Sequence, residues 1–304
     1  MKFTGIIIYY LVVVGLLIPS PAQAVQPKDI DLMLEQMSPT TLQDWKTKAY
    51  SDDLLAPVIL GRAFSEGKGT KKNQVEALKW YRKAASYGNP LAEYYLGGMY
   101  DLGMGVPKNA TEAFKHYMRA AENGIPDAQD TLGVLYAGGR GVKRDLVQAA
   151  KWHRLAAEQG NASGQSNLGY LYETGMGGLQ QSYGEAQKWY RHAAEQGYDY
   201  GQYNLGLLYL RGNGVKQNFL EAEKWVRKAA EQGLATAQND LGAIYAIGGD
   251  GLEQNLVESY KWVIIALTND VARAKTLQKI LKSQMNQKQI AEGERLAKEW
   301  LSKH

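Results

Sequence analysis

Residues 190–209 read YRHAAEQGYDYGQYNLGLLY, and residues 225–245 repeat the pattern as WVRKAAEQGLATAQNDLGAIY. Both stretches place an alanine pair and a glycine before Leu-Gly, and a tyrosine three residues after the glycine of that pair. The Leu-Gly pair occurs six times at intervals of 36 or 37 residues, each time followed by an aromatic residue. A period of this length indicates copies of one supersecondary unit. The pairs are Leu60-Gly61, Leu96-Gly97, Leu132-Gly133, Leu168-Gly169, Leu205-Gly206 and Leu241-Gly242.

Each copy is predicted to form two helices. Tryptophan or histidine stands about twenty residues after each of these leucines, and seven residues before it stands Asn, Asp or Ser, all good N-cap residues. Glutamate or glutamine follows three residues after the cap, which is the spacing of a capping box, so the second helix is expected to start there. Pro90 and Pro126 suit the starts of first helices, such as one over roughly Leu91 to Asp101. The caps are Asn73, Asn109, Asp145, Ser182, Asn218 and Asn255.

The glycine of each Leu-Gly pair falls inside a predicted helix. Glycine there costs about 1 kcal/mol relative to alanine, so its recurrence in six copies needs a compensating role. We expect that the missing Cβ lets a tyrosine or tryptophan of the second helix pack directly against the backbone.

These features resemble the SEL-one-like repeat (SLR), a relative of the tetratricopeptide repeat. The matching elements are the Ala-x-x-x-Leu-Gly-x-x-Tyr run, the Gly-x-Gly-Val turn and the Ala-x-x-Trp-Tyr-x-x-Ala-Ala-x-x-Gly run, over residues 54–270. The resemblance implies an all-α fold, a right-handed α/α superhelical solenoid of about six 36-residue helix-turn-helix repeats with helical caps. Residues 25–53, which contain Trp45, are expected to form a degenerate second helix as the N-terminal cap. Residues 271–304 are the expected C-terminal cap, in which Asn286 and Gln289 have the spacing of a capping box.

Residues 1–24 are predicted to be a signal peptide. Lys2 precedes an apolar run of thirteen residues, from Ile6 to Ile18, which is shorter than the roughly 20 residues needed to span a bilayer. Ala22-Gln23-Ala24 provides a small-x-small cleavage site. We therefore expect cleavage after Ala24, a periplasmic or secreted chain and no stable membrane insertion afterwards. An uncleaved membrane anchor is the alternative.

Composition excludes several classes of function. The chain contains no cysteine, so it has no disulfide, no cysteine-bound zinc and no thiol nucleophile. Its net charge is only +4, and no basic block could follow a phosphate backbone, so nucleic acid is not an expected partner. The four histidines are far apart, and His116 takes the place of a repeat tryptophan, which favours a packing or surface role. We expect no metal, no cofactor and no catalytic residue.

One enzymatic alternative remains. Some cysteine-rich relatives in the SLR family have been credited with binding or hydrolysing β-lactams, and Ser65-Glu66-Gly67-Lys68 matches Ser-x-x-Lys. No Ser-Asp-Asn or Lys-Thr-Gly motif accompanies it. A β-lactam- or cell-wall-fragment-binding protein is therefore the weaker hypothesis.

The favoured hypothesis is a non-enzymatic scaffold that binds a peptide or protein in a concave groove, in a bacterial envelope or host-interaction role. In tetratricopeptide relatives the first helices line this groove. By analogy, the candidates lie two residues before or after each Leu-Gly leucine, where the copies differ, and Tyr200 is added as an aromatic neighbour. The predicted partner-binding residues are Tyr94, Asp130, Tyr170, Tyr200, Tyr203 and Asn239.

Overall fold

A computed structural model describes residues 27–51, 53–269 and 271–304. Within these ranges the chain forms sixteen helices and no β-strand, which confirms the all-α solenoid of helix pairs. The predicted signal peptide, residues 1–24, lies outside the described residues. None of the described helices is both long and apolar enough to cross a membrane. The helices are α1 (Pro27–Glu35), α2 (Pro39–Ala49), α3 (Ala56–Glu66), α4 (Gln74–Ser86), α5 (Pro90–Leu102), α6 (Ala110–Glu122), α7 (Pro126–Gly138), α8 (Leu146–Glu158), α9 (Ala162–Thr174), α10 (Tyr183–Glu195), α11 (Asp199–Arg211), α12 (Phe219–Glu231), α13 (Ala235–Ile247), α14 (Leu256–Thr268), α15 (Ala272–Gln284) and α16 (Gln287–Leu301).

The helices stack as six successive hairpins. The first helices of the repeats are α3, α5, α7, α9, α11 and α13, and each is followed by its second helix. Every second helix except the last packs between its own first helix and the first helix of the next repeat. First helices also touch one another, α7 with α9 and α9 with α11, so they line the inner side of the stack.

Helices α1 and α2 cover the N-terminal end of the stack, and α15 and α16 cover the C-terminal end. The N-terminal segment forms two helices instead of the one expected. A new helix starts because Ser38 accepts a hydrogen bond from the Thr41 N–H and Pro39 follows the cap. At the other end, the predicted capping box of Asn286 and Gln289 is confirmed, and it opens α16.

The Leu-Gly glycine lies at the closest approach of the two helices in every repeat. A Cβ built on Gly97 would lie 2.7 Å from the Tyr117 ring, and one on Gly169 would lie 2.8 Å from the Tyr190 ring. The expected contact with tyrosine is confirmed in three repeats, but no tryptophan takes this place. The residue next to the tryptophan position makes the contact instead. These residues are Tyr81, Tyr117, His153, Tyr190, Val226 and Val263.

The second helices start where the cap pattern predicts. Asn73 Oδ1, for example, accepts from the N–H groups of Val75 and Glu76, both at 3.1 Å. The reciprocal half of the capping box does not form in these helices, so that part of the prediction was wrong. The N3 glutamate pairs with a lysine three residues later in four repeats, as Glu112 does with Lys115 at 2.7 Å. The lysine competes successfully because it offers a charge-assisted hydrogen bond.

Buried glutamines connect neighbouring repeats. Gln165 in α9 is 6% exposed, and its Nε2 donates to the Ala157 carbonyl in the preceding repeat at 3.3 Å. Its Oε1 accepts from Gln196 at the end of the following helix at 2.7 Å. Both polar ends of the amide are therefore paired, as burial requires. The equivalent residues Gln129, Gln202 and Gln238 make the same pair of bonds.

The turn between the two helices docks on the repeat before it. Gly105, with φ of 69°, lies so close to the start of α4 that a Cβ would be 2.5 Å from the Gln74 carbonyl oxygen. Gly177 approaches the Leu146 carbonyl of the preceding repeat in the same way, at 2.7 Å. The second glycine of the turn is therefore required both by its left-handed conformation and by this contact.

Candidate functional site

Three of the predicted partner-binding residues lie together in one groove. Tyr170, Tyr200 and Tyr203 line a cavity of about 520 Å³ on the inner side of the stack. Its walls come from the first helices of four successive repeats, α7, α9, α11 and α13, and from the residue before α11. We call this cavity the tyrosine groove. It is lined by Val134, Ser163, Ser166, Asn167, Tyr170, Tyr198, Tyr200, Tyr203, Asn204 and Thr236.

The groove residues share one face of each helix. On α9, lining residues occur at 163, 166, 167 and 170, which is the i, i+3, i+4, i+7 spacing of a helix face. On α11 the residues at 200, 203 and 204 continue the same stripe, one repeat later. Sequence reasoning missed Ser163, Asn167, Tyr198, Asn204 and Thr236. Extending the variable positions along this helical spacing would have found all of them except Tyr198, which precedes α11.

The tyrosines of the groove are partly exposed. Tyr170 and Tyr200 are each 50% exposed. The rings of Tyr198 and Tyr200, which both line the cavity, are 6.0 Å apart and tilted by 39°. The Tyr203 hydroxyl donates to Asp240 Oδ2 at 2.7 Å. Burial, followed by the charge of Asp240, raises the pKa of Tyr203 well above its ordinary value, so this phenol stays neutral at physiological pH.

Asp130 lies behind the groove wall. It is 8% exposed and was predicted as a partner contact, but it bonds mainly within the protein. Its Oδ1 accepts from His153 Nδ1 at 2.6 Å and from Asn167 Nδ2 at 2.9 Å. Burial alone would raise the pKa of Asp130, but the hydrogen bonds and charge of His153, with bonds from Ser163 and Asn167, outweigh it and lower the pKa. An ionised carboxylate therefore stands one hydrogen bond behind the lining residue Asn167.

Asn239 and Tyr94 do not line the groove. Asn239 is 5% exposed, and its Nδ2 donates to Asp240 Oδ1 at 2.8 Å. Its Oδ1 is a buried acceptor without a partner among the described residues. Tyr94 belongs to the second repeat, where its ring packs 5.7 Å from that of Tyr117. Their role in binding stays a prediction.

The Ser-x-x-Lys match does not assemble a nucleophile. The Ser65 hydroxyl bonds to Gln74 Oε1 at 3.2 Å, and among the described residues no hydrogen bond joins it to Lys68. His116 bonds Glu93 Oε2 at 2.5 Å and stacks on Tyr100, with ring centroids 5.2 Å apart. The described part of the chain contains no group of three or more His, Asp or Glu residues that could bind a metal ion.

Comparison with known proteins identifies the repeat. The chain matches the Sel1 repeat at residues 58–89, 90–125, 126–161, 162–198, 199–234 and 235–270. A search of curated proteins found no match.

Two solved structures are similar to most of the chain. The Sel1 repeat protein from Oxalobacter formigenes is 32% identical, with a TM-score of 0.65, over 70% of this chain and 85% of its own. The structure of c5321, a protective antigen present in uropathogenic Escherichia coli strains that displays an SLR fold, is 30% identical, with a TM-score of 0.58, over 87% of this chain. The chain spans 64% of the length of c5321. Six matched repeats that cover more than half of the sequence show that the chain belongs to the Sel1 repeat family, whose members typically act as scaffolds for protein–protein interactions.

Proposed function

We propose that the chain is a non-enzymatic scaffold of the bacterial envelope, periplasmic or secreted, that binds an extended segment of a partner protein in the tyrosine groove. The observation that carries the proposal is that Tyr170, Tyr200 and Tyr203 line one cavity, whose walls come from four successive first helices. Half-exposed tyrosines offer a large contact area and a hydrogen-bonding tip at little cost in conformational entropy.

The inner side of a solenoid suits an extended ligand. Each added repeat continues the same surface, so a segment of chain can contact several repeats at once. Asn167 and Asn204, which are partly exposed, supply amide groups between the tyrosines. Such alternation of aromatic and amide side chains matches a polypeptide, which presents side chains and backbone amides in turn.

The test is capture of partners by the full chain and by a groove variant. We expect that replacing Tyr170 and Tyr200 together by alanine abolishes capture of specific proteins from an envelope extract, as measured by mass spectrometry of the bound fraction. The matched control is Tyr87→Ala, because Tyr87 is 45% exposed at the end of α4 and lies outside the groove. Equal capture by all three proteins would contradict groove binding.

Two further measurements test the remaining parts of the proposal. N-terminal sequencing of the protein purified from cells is expected to begin at Val25, and an intact Met1 would contradict export with cleavage. Nitrocefin is expected to remain intact in the presence of the protein. Hydrolysis that is lost in Ser65→Ala would favour the enzymatic alternative.

A further inference from the structure

The tyrosine groove combines four aromatic rings with a neutral lining. None of its ten lining residues is charged, and four of them are tyrosines. A tyrosine ring carries negative potential on its face and therefore attracts a cation placed over it. Tyr198 and Tyr200, whose rings are 6.0 Å apart, line the same cavity as Tyr170 and Tyr203, so four rings lie around one ligand-sized space.

Carboxylates outnumber cations around this lining. Asp130 bonds to Asn167 at 2.9 Å, and Asp240 accepts from Tyr203 at 2.7 Å, while the charge of Asp199 also acts on Tyr198. His153 bonds Asp130 at 2.6 Å and offsets its charge, and Arg211 and Arg273 act on Tyr203, but none of these three lines the groove. Arg211 is itself paired with Glu173 at 3.7 Å. A cationic ligand would therefore complement the groove, and a carboxylate would be repelled.

The polar groups of the lining favour a ligand that donates hydrogen bonds. Asn167 uses its Nδ2 on Asp130, so its Oδ1 is left as an acceptor. The hydroxyls of Tyr170 and Tyr200 belong to half-exposed side chains that face the cavity. A guanidinium group carries five N–H donors in one plane and also stacks on aromatic faces, whereas an ammonium is a compact, strongly hydrated charge.

From this arrangement we propose that the tyrosine groove binds an arginine side chain of the partner polypeptide. The proposal rests on the groove being the partner site. The partner therefore presents a basic residue within an extended segment. The cavity of about 520 Å³ has room for flanking residues as well, since ligand pockets commonly measure about 300–1,000 Å³.

The test uses fluorescein-labelled nonapeptides of glycine and serine with one central residue, titrated with the full chain and followed by fluorescence anisotropy. We expect the arginine peptide to bind most tightly, the lysine peptide more weakly, and the norleucine and glutamate peptides at least tenfold more weakly than arginine. Raising the salt concentration should weaken binding of the arginine peptide. Equal binding of the norleucine peptide, or no binding of any peptide, would overturn the proposal.

Substitutions of Tyr200 distinguish binding of a cation over the tyrosine ring from simple apolar contact. Tyr200→Phe keeps the aromatic face and is expected to retain arginine binding within about twofold. Tyr200→Leu keeps an apolar side chain without the ring and should lose at least fivefold. Because Tyr200 is half exposed, both variants should show the same thermal unfolding, and unchanged arginine binding in Tyr200→Leu would overturn the proposal.

A competition experiment distinguishes a peptide arginine from a small free cation. Nα-acetyl-arginine amide should displace the labelled peptide at lower concentrations than choline chloride, and the reverse order would overturn the proposal. The proposed function is tested separately by envelope capture. If capture depends on Tyr170 and Tyr200 but the peptides show no preference for arginine, the scaffold function stands and the arginine inference fails.

Discussion

The two sides of each first helix differ in what they require of the sequence. On the side facing the second helix, a Cβ on Gly97 or Gly169 would overlap a tyrosine ring. On the groove side, Tyr170 and Tyr200 keep half of their surface exposed. Packing between the two helices therefore limits the size of the residue at the Leu-Gly glycine. The groove sets no such limit on the residues that line it. The periodic positions of the sequence report packing, whereas the positions that vary within the period include the exposed Tyr170 of the groove.

A buried tyrosine and an exposed one should show the difference between the helix interface and the groove most strongly. Tyr190→Ala is expected to lower the free energy of unfolding by about 4 kcal/mol, because it empties a core site that holds a fully buried ring. Tyr170→Ala should change it by less than about 1 kcal/mol, because the ring is half exposed. Urea denaturation followed by circular dichroism measures both, and similar losses would mean that the groove is part of the core.

Two adjacent glycines of α5 provide a second contrast. Gly97→Ala should lower the free energy of unfolding by about 2 kcal/mol through overpacking against Tyr117. Gly98→Ala should raise it by about 0.5–1 kcal/mol, because its Cβ would meet only the Tyr117 hydroxyl at 3.6 Å and alanine is the better helix former. The same denaturation experiment compares them, and stabilisation in both variants would break the comparison.

Asp130 lies between the helix interface and the groove, and its contribution to the free energy of unfolding should depend on pH. Its folded-state pKa is lowered from 3.8, so its stabilisation is present above pH 3.8 and is lost as the pH falls through the depressed value. Asp130→Asn should therefore lower the free energy of unfolding by about 1–2 kcal/mol at pH 7, and the gap to the wild type should close in acid.

Asp127, three residues earlier on α7, is the control for this pH dependence. Burial, with a smaller opposing effect from the bond to Asn161, raises the pKa of Asp127, so its ionised form gains nothing from folding. Asp127→Asn should hold or raise stability at pH 7. Urea denaturation at pH 7 and at a series of values below pH 3.8 measures both variants, and a gap for Asp130→Asn that does not shrink anywhere in the acidic series would contradict the assignment.

The smallest expected effects separate two positions that recur in every repeat. Asn73→Ala should cost about 1 kcal/mol, because two backbone N–H groups lose their acceptor. Glu76→Ala should cost less than about 0.5 kcal/mol, since its partner Lys79 is exposed. Thermal unfolding measures both. A larger loss for Glu76→Ala would show that the reciprocal capping bond forms in solution.

The fold could be predicted from the sequence because its determinants are local and recur in every repeat. Cap residues, the glycine that follows five of the six second helices and the Leu-Gly spacing each specify backbone geometry over a few residues. The expected tyrosine or tryptophan contact failed in three repeats, where His153, Val226 and Val263 meet the glycine. A period locates a helix face without resolving which of two adjacent residues points at the glycine. The bond between the N3 glutamate and a lysine was missed, because the capping-box spacing does not take account of a competing charge three residues later.

The candidate site could be predicted only in part. Variation among copies selected Tyr170 and Tyr203, to which Tyr200 was added as an aromatic neighbour, and the structure brings the three together. It also selected Asp130, whose burial depends on His153, a residue 23 positions away on another helix. The buried glutamines that connect the repeats were missed, because a glutamine in an amphipathic helix is ordinarily a surface residue and its partners lie in neighbouring repeats.

The glycine turn between the helices of a repeat docks on the repeat before it, so successive repeats contact one another in the order of the chain. Gly105 rests on the start of α4, and Gly177 rests on the start of α8, in each case on the repeat that precedes it in the chain. Because the chain leaves the ribosome or an export channel with its N-terminus first, we expect each new hairpin to meet the repeat on which its turn docks. We therefore expect assembly to run from the first repeat to the last, without waiting for the C-terminus.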